Sequence, residues 1–216
     1  NLDPKAILRH LEVDGGRRIV PGNALLFLDE IQACPRAIMA LRYFFEQMPE
    51  LHVIAAGSLL EFAMGEISVP VGRVQSLRLH PMTFREYLLG IGNQVAAEEA
   101  ARHPSEVDEG IQKKLLQELK NYFFVGGMPE SVIVYGETHS LLESFKVQKE
   151  IIESYREDFA KYNPRIDRGC LDAVLLSVAR QVGAQIKYTR LDDNRSGPTN
   201  RRAFDALCKA RVVHKI

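Results

Sequence analysis

Ala24-Leu25-Leu26-Phe27-Leu28-Asp29-Glu30 decides how this chain reads: five apolar residues run straight into two adjacent carboxylates. The run does not alternate, which predicts a strand buried on both faces, as in a parallel sheet covered by helices. Carboxylates at the carboxyl end of such a strand stand where open α/β sheets place their ligand sites. In a nucleotide hydrolase the first would hold Mg²⁺ through water and the second would polarise the attacking water. A plainer reading stays open, in which Asp29 and Glu30 only begin an acidic helix start.

Upstream of the stretch, Asp3-Pro4 marks a helix start, with Asp3 as N-cap and Pro4 at the first helical position; Gly15-Gly16 ends that helix. Downstream, Pro35 opens a second helix with Ile38, Leu41, Phe45 and Met48 on one face, and Pro49 stops it. Residues 51–56 form a second short strand leading into Gly57-Ser58, followed by a helix over about 59–64. Residues 74–79 alternate and predict a third strand, and Thr83 with Glu86 predicts a capping box on a helix through Leu89. Strand–helix repeats of this kind predict a parallel α/β sheet over residues 1–90.

The texture changes near Gly90-Ile91-Gly92. Residues 91–164 read as helices without a strand, broken sharply at Gly126-Gly127-Met128-Pro129-Glu130; backbone needs alone explain that break as a structural turn. Residues 165–216 read as helix, short helix, helix and the start of an extended segment at Val212-Val213. That order predicts a winged helix-turn-helix with residues 199–210 as its recognition-type helix.

Composition narrows the class. The 216 residues are 46% apolar and 26% charged, with 28 basic and 28 acidic residues. No apolar run is long enough for a membrane span and no secretory signal is visible. Cys34, Cys170 and Cys208 make no metal-ligand spacing, which predicts a reducing, cytoplasmic setting. Residues 165–216 hold eleven basic and five acidic residues, an excess of +6 that suggests an acidic partner.

With the pieces in order, the sequence resembles a family of prokaryotic AAA-like P-loop ATPases, in which a nucleotide-binding core precedes a helical and winged-helix region of unknown function. The matching stretches are LLFLDEIQ (25–32), IAAGSLLEF (54–62), VGRV (71–74), LHPMTFREYL (79–88), GGMPE (126–130) and YREDFAKY (155–162). The resemblance implies ATP and Mg²⁺ as cofactors. It makes Asp29 the Walker B residue on Mg²⁺ through water, and Glu30 the catalytic carboxylate. Ser58 falls at the sensor position near the γ-phosphate, where a small hydroxyl can bond water and phosphate; it equally reads as a helix cap. Arg73 becomes the charge compensator of phosphoryl transfer, in its own chain or towards a neighbouring subunit of a homo-oligomer; it equally reads as a surface arginine.

The sequence departs from this pattern: no GxxxxGK[ST] phosphate loop occurs in it. In the family that loop precedes the position of Asn1, on a strand expected to pair beside 24–28, so the chain reads as lacking it and inactive alone; a start at Asn1 without Met and a stop in Val-Val-His-Lys-Ile read as two cut ends. Two other readings stand beside the ATPase. One is a DNA- or protein-binding winged helix on a scaffold core, with Arg195, Arg201, Arg202 and Lys209 set to meet DNA. The other is a catalytically silent interaction piece.

Overall fold

The computed structural model describes residues 2–57, 72–162 and 166–215. They divide into two compact units, Asn1–Leu77 with Tyr162–Ile216, and Arg78–Lys161.

In the first unit, α1 (Pro4–Gly15) starts as the sequence predicts: the Asp3 carboxylate accepts the Lys5 N–H at 3.0 Å, and Gly16 closes the helix at φ 63°. Strand β1 (Leu25–Leu28), α2 (Pro35–Gln47) and β2 (His52–Ala55) follow. The strands pair in parallel, Leu25 opposite His52 through Leu28 opposite Ala55. Leu26 and Val53 pack with Leu8, Ala40, Phe44 and Leu51, so one sheet face is covered by α1 and α2.

The expectation that β1 is buried on both faces is corrected here. Leu25 and Phe27 are each 55% exposed and Ile54 is 50% exposed, because the helices described in this unit cover only the face of Leu26 and Val53. Residues 74–79 are not in a strand, despite their alternation: among the described residues the sheet consists of β1 and β2. The helix expected over 59–64 lies outside the described residues.

The same unit contains α8 (Arg168–Ala179) and α9 (Gly197–Lys209), joined through a 3₁₀ turn at Tyr188–Arg190. Their core is Cys170, Leu171, Val174, Phe204 and Leu207. Fully buried Asn200 donates to the carbonyls of Tyr188 and Asp192, both at 2.9 Å, and so fixes the connection onto α9. The extended segment expected at Val212-Val213 does not form. Arg211 turns left-handed (φ 60°) and the Val212 N–H returns to the Leu207 carbonyl at 3.1 Å, which closes the helix end.

The second unit is helical, as read: α3 (Phe84–Gly90), α4 (Gln94–Glu99), α5 (Glu109–Val125), α6 (Pro129–Thr138) and α7 (Leu141–Tyr162). Its core is Tyr87, Leu88, Ala97, Val125 and Val132. The Thr83–Glu86 capping box forms, and the Thr83 N–H and hydroxyl hold the Glu86 carboxyl below the usual carboxylate range. Burial, then the neighbouring Tyr135 and Glu118, push the Tyr87 phenol well up.

GGMPE is the joint of this unit. Gly126 sits at φ 74°, ψ −171°, a conformation open essentially to glycine alone. The last carbonyls of α5 are satisfied by side chains: Ser131 Oγ donates to Val125 O at 2.8 Å, and Gln148 Nε2 donates to Val125 O at 2.6 Å and Phe124 O at 2.8 Å. A structural turn explains every one of these contacts.

Candidate functional site

Asp29 and Glu30 leave the carboxyl end of β1 beside the carboxyl end of β2, and both are exposed. The turn between them is built from several bonds. Ala56 donates its N–H to Leu28 O at 2.8 Å, and Ile31 donates its N–H to Ala56 O at 3.0 Å, so the two strand ends are laced together around the acidic pair. Asp29 Oδ1 accepts the Glu30 N–H at 2.9 Å.

Glu30 itself adopts φ 48°, ψ 41°. A left-handed conformation costs a non-glycine residue about 1–2 kcal/mol and persists only where its surroundings over-determine it. Here they do: Ala33 N–H returns to Glu30 O at 2.9 Å, opening a 3₁₀ turn at Ile31–Ala33, and nearly buried Gln32 donates its side-chain amide to the Glu30 carboxylate. Gln32 is the residue that sequence reasoning missed. The only signal for it was its place at the end of LLFLDEIQ.

Chemically, one exposed carboxylate at the end of a parallel strand fits Mg²⁺, which keeps most of its waters and takes one or two protein carboxylates plus phosphate oxygens. The described residues contain no cluster of three or more His, Cys, Asp or Glu that would cage a metal on its own. No loop of the chain has the phosphate-cradle spacing.

The other predicted residues are placed differently. Ser58 lies outside the described residues. Arg73 donates to Glu46 Oε1 at 2.9 Å, and Arg42 reaches the same oxygen at 2.9 Å. These arginines hold the Glu46 carboxyl below its usual range, Arg42 more than Arg73. Glu46 is the twelfth residue of α2, so it lies about 17 Å along the helix from Pro35 at 1.5 Å per residue. Because α2 begins just after the Asp29–Glu30 turn, Arg73 is anchored at the far end of that helix from the acidic pair.

Arg195 bonds Asp167 at 2.5 Å and Asp192 at 3.3 Å and is about one-third exposed, tying the start of α8 to the loop before α9. Arg201 lies over the Tyr188 ring at 5.7 Å and pairs with Asp205 at 3.7 Å. Arg202 and Lys209 are exposed on α9.

Residues 2–88 match the family model described as an AAA domain, and residues 116–216 match a domain of unknown function, DUF8612. The first match supports an AAA-like domain over the segment that carries Asp29, Glu30 and Arg73. The second begins within α5 and runs through α9, so one family unit covers both the helical and the C-terminal segments. No curated protein and no solved structure matches the chain. No described helix is long and apolar enough to cross a membrane.

Proposed function

We propose that this chain carries the Walker B half of an AAA-like ATP-hydrolysing site, with Asp29 holding Mg²⁺ through water and Glu30 positioning the attacking water. The observation behind this reading is the over-determined left-handed turn that presents both carboxylates at the ends of two parallel strands. Bound Mg²⁺ would neutralise charge on the phosphates; the chain contributes the carboxylates and the Gln32 amide that orients Glu30. Arg73, anchored by Glu46 away from this turn, fits a role towards a neighbouring subunit better than one in its own chain. Ser58 as sensor, the three-part division at 90 and 164, a winged-helix rearrangement driven by hydrolysis and a cytoplasmic setting belong to the same reading.

Without a phosphate loop, the 216 residues should bind Mg²⁺·ATP more weakly than the micromolar range by isothermal titration. Clear micromolar binding would place the phosphate site in residues this reading leaves out.

A second reading rests on a separate observation: α8, the 3₁₀ turn and α9 follow one another in the same unit, with Arg201, Arg202 and Lys209 exposed on α9. In this reading α9 meets DNA, with Arg195 positioning the loop and not touching a phosphate. Duplex binding should then weaken steeply as salt rises, with a slope set by the few phosphates contacted. A flat response would favour a protein partner for the same surface.

A further inference from the structure

The two family matches meet inside one core. Residues 82–88 lie in the AAA match and residues 116–138 in the match of unknown function, and both contribute to the interior of the helical unit. Tyr87 and Leu88 of α3 are fully buried there with Val125 of α5 and Val132 of α6. The Tyr87 ring lies 5.4 Å from that of Tyr122 on α5 and 6.2 Å from that of Tyr135 on α6. Its hydroxyl donates to Glu118 Oε2 at 3.4 Å.

Just upstream, the backbone itself is clasped. Met82 donates its N–H to Gly127 O at 2.7 Å, and its carbonyl accepts the Tyr122 hydroxyl at 2.8 Å. The Thr83–Glu86 box joins this clasp to α3 without slack, since Thr83 follows Met82 directly and caps the helix. Helix α3 cannot slide along α5 and α6 without giving up buried apolar surface and both bonds. Close-packed elements respond to such a load by moving as a body. On its other side the chain leaves the first unit at Leu77, and residues 78–81 are exposed. Within that first unit Arg73 is anchored to Glu46 of α2.

We infer that residues 82–90 are a transmission element between the AAA-matching segment and the domain of unknown function. Met82–Gly90 belongs by sequence to the first and folds as part of the helical unit. A displacement at the carboxyl end of the AAA-matching segment is therefore delivered to the α5–α6 joint at Gly126-Gly127, and α3 does not absorb it by peeling away. A division at residue 90 then marks where one sequence pattern gives way to another, while the folding unit begins upstream of Met82. Asp29 and Glu30 take no part, so the inference stands or falls apart from the nucleotide reading.

The test is native-state hydrogen exchange of the 216-residue chain over increasing guanidinium, which separates local openings from cooperative ones. The amides of Met82 and Tyr87 should lose protection together with those of Gly126 and Val132, with one opening free energy and one denaturant slope. All four are hydrogen-bonded, so each reports on opening. Tyr122→Phe keeps the ring and removes only the donor to Met82 O. It should speed exchange at Met82, Tyr87 and Gly126 by a common factor of about three to ten, the worth of one hydrogen bond. Phe44→Ala, in the core of the first unit, should speed exchange at Ala40 and Ala56 by about tenfold or more and leave Met82 and Tyr87 within about twofold. Should Phe44→Ala unfold the first unit altogether, Met82 and Tyr87 should still keep their protection. Three results would overturn the inference. One is exchange of Met82 and Tyr87 by a local opening easier than that of Gly126, since the segment would then peel. Another is acceleration at Met82 alone in Tyr122→Phe. The third is loss of protection at Tyr87 in step with Ala40 and Ala56 in Phe44→Ala, which would place α3 in the folding unit of α2.

Discussion

Gly127→Ala should lower the stability of the helical unit by about 2–4 kcal/mol, the combined scale of overpacking and a lost buried hydrogen bond. A Cβ at Gly127 would overlap the Met82 carbonyl oxygen and stand 2.8 Å from the Met82 nitrogen. Neither neighbour can yield by a rotamer change, because both are backbone. The approach is close for a reason: Met82 donates its N–H to Gly127 O at 2.7 Å, while the Tyr122 hydroxyl donates to Met82 O at 2.8 Å. The segment before the Thr83 capping box is thereby fastened to the joint between α5 and α6. Separating the two backbones to admit a methyl group would loosen both bonds. Hydrogen exchange at the amides of α3 and α5 should accelerate strongly, with a lower melting temperature by circular dichroism. An alanine variant that melts as the parent does would show that the contact is not needed.

Glu30→Gln should be the most damaging single change to hydrolysis. It keeps the size of the side chain, and a glutamine amide can still meet Gln32, so the left-handed turn has no new reason to open. On the proposed reading it removes only the charge that would polarise water. In a polypeptide that joins this core to a GxxxxGK[ST] loop, turnover should fall about 10²–10⁴-fold, the usual worth of a positioned general base, or about 3–5 kcal/mol of barrier. Nucleotide affinity should stay within a few-fold of the parent. Turnover near the parent's would remove Glu30 from the mechanism.

What could be read from sequence follows a physical division. Local signals were legible because their causes are local: the Asp3 cap and Pro4, the Gly16 close of α1, the Thr83–Glu86 box, and the helical periods of α2, α5 and α7. LLFL and HVIA gave their strands, since short apolar runs between turn signals have few other uses. Residues 74–79 failed as a strand because a strand is a property of a pair, and alternation in one segment does not supply its neighbour. Val212-Val213 failed for a similar reason, with Arg211 turning the chain back onto α9. At the site, the acidic pair was legible, but the left-handed Glu30 and the Gln32 amide were not, because the turn is fixed by where Ala56 lies in space and the Gln32–Glu30 contact is made within that turn. Arg195 looked available in sequence; its partner Asp167 lies 28 residues away.

The central claim is that Asp29 and Glu30 present a metal–phosphate half-site at the ends of β1 and β2. Its most direct test is paramagnetic line broadening of backbone amides by Mn²⁺·ATP at millimolar concentration, which reports even weak binding by this chain. Broadening should centre on residues 29–32 and 56–57 and disappear in Asp29→Asn. Broadening spread over other acidic surfaces, or undiminished in Asp29→Asn, would contradict the account.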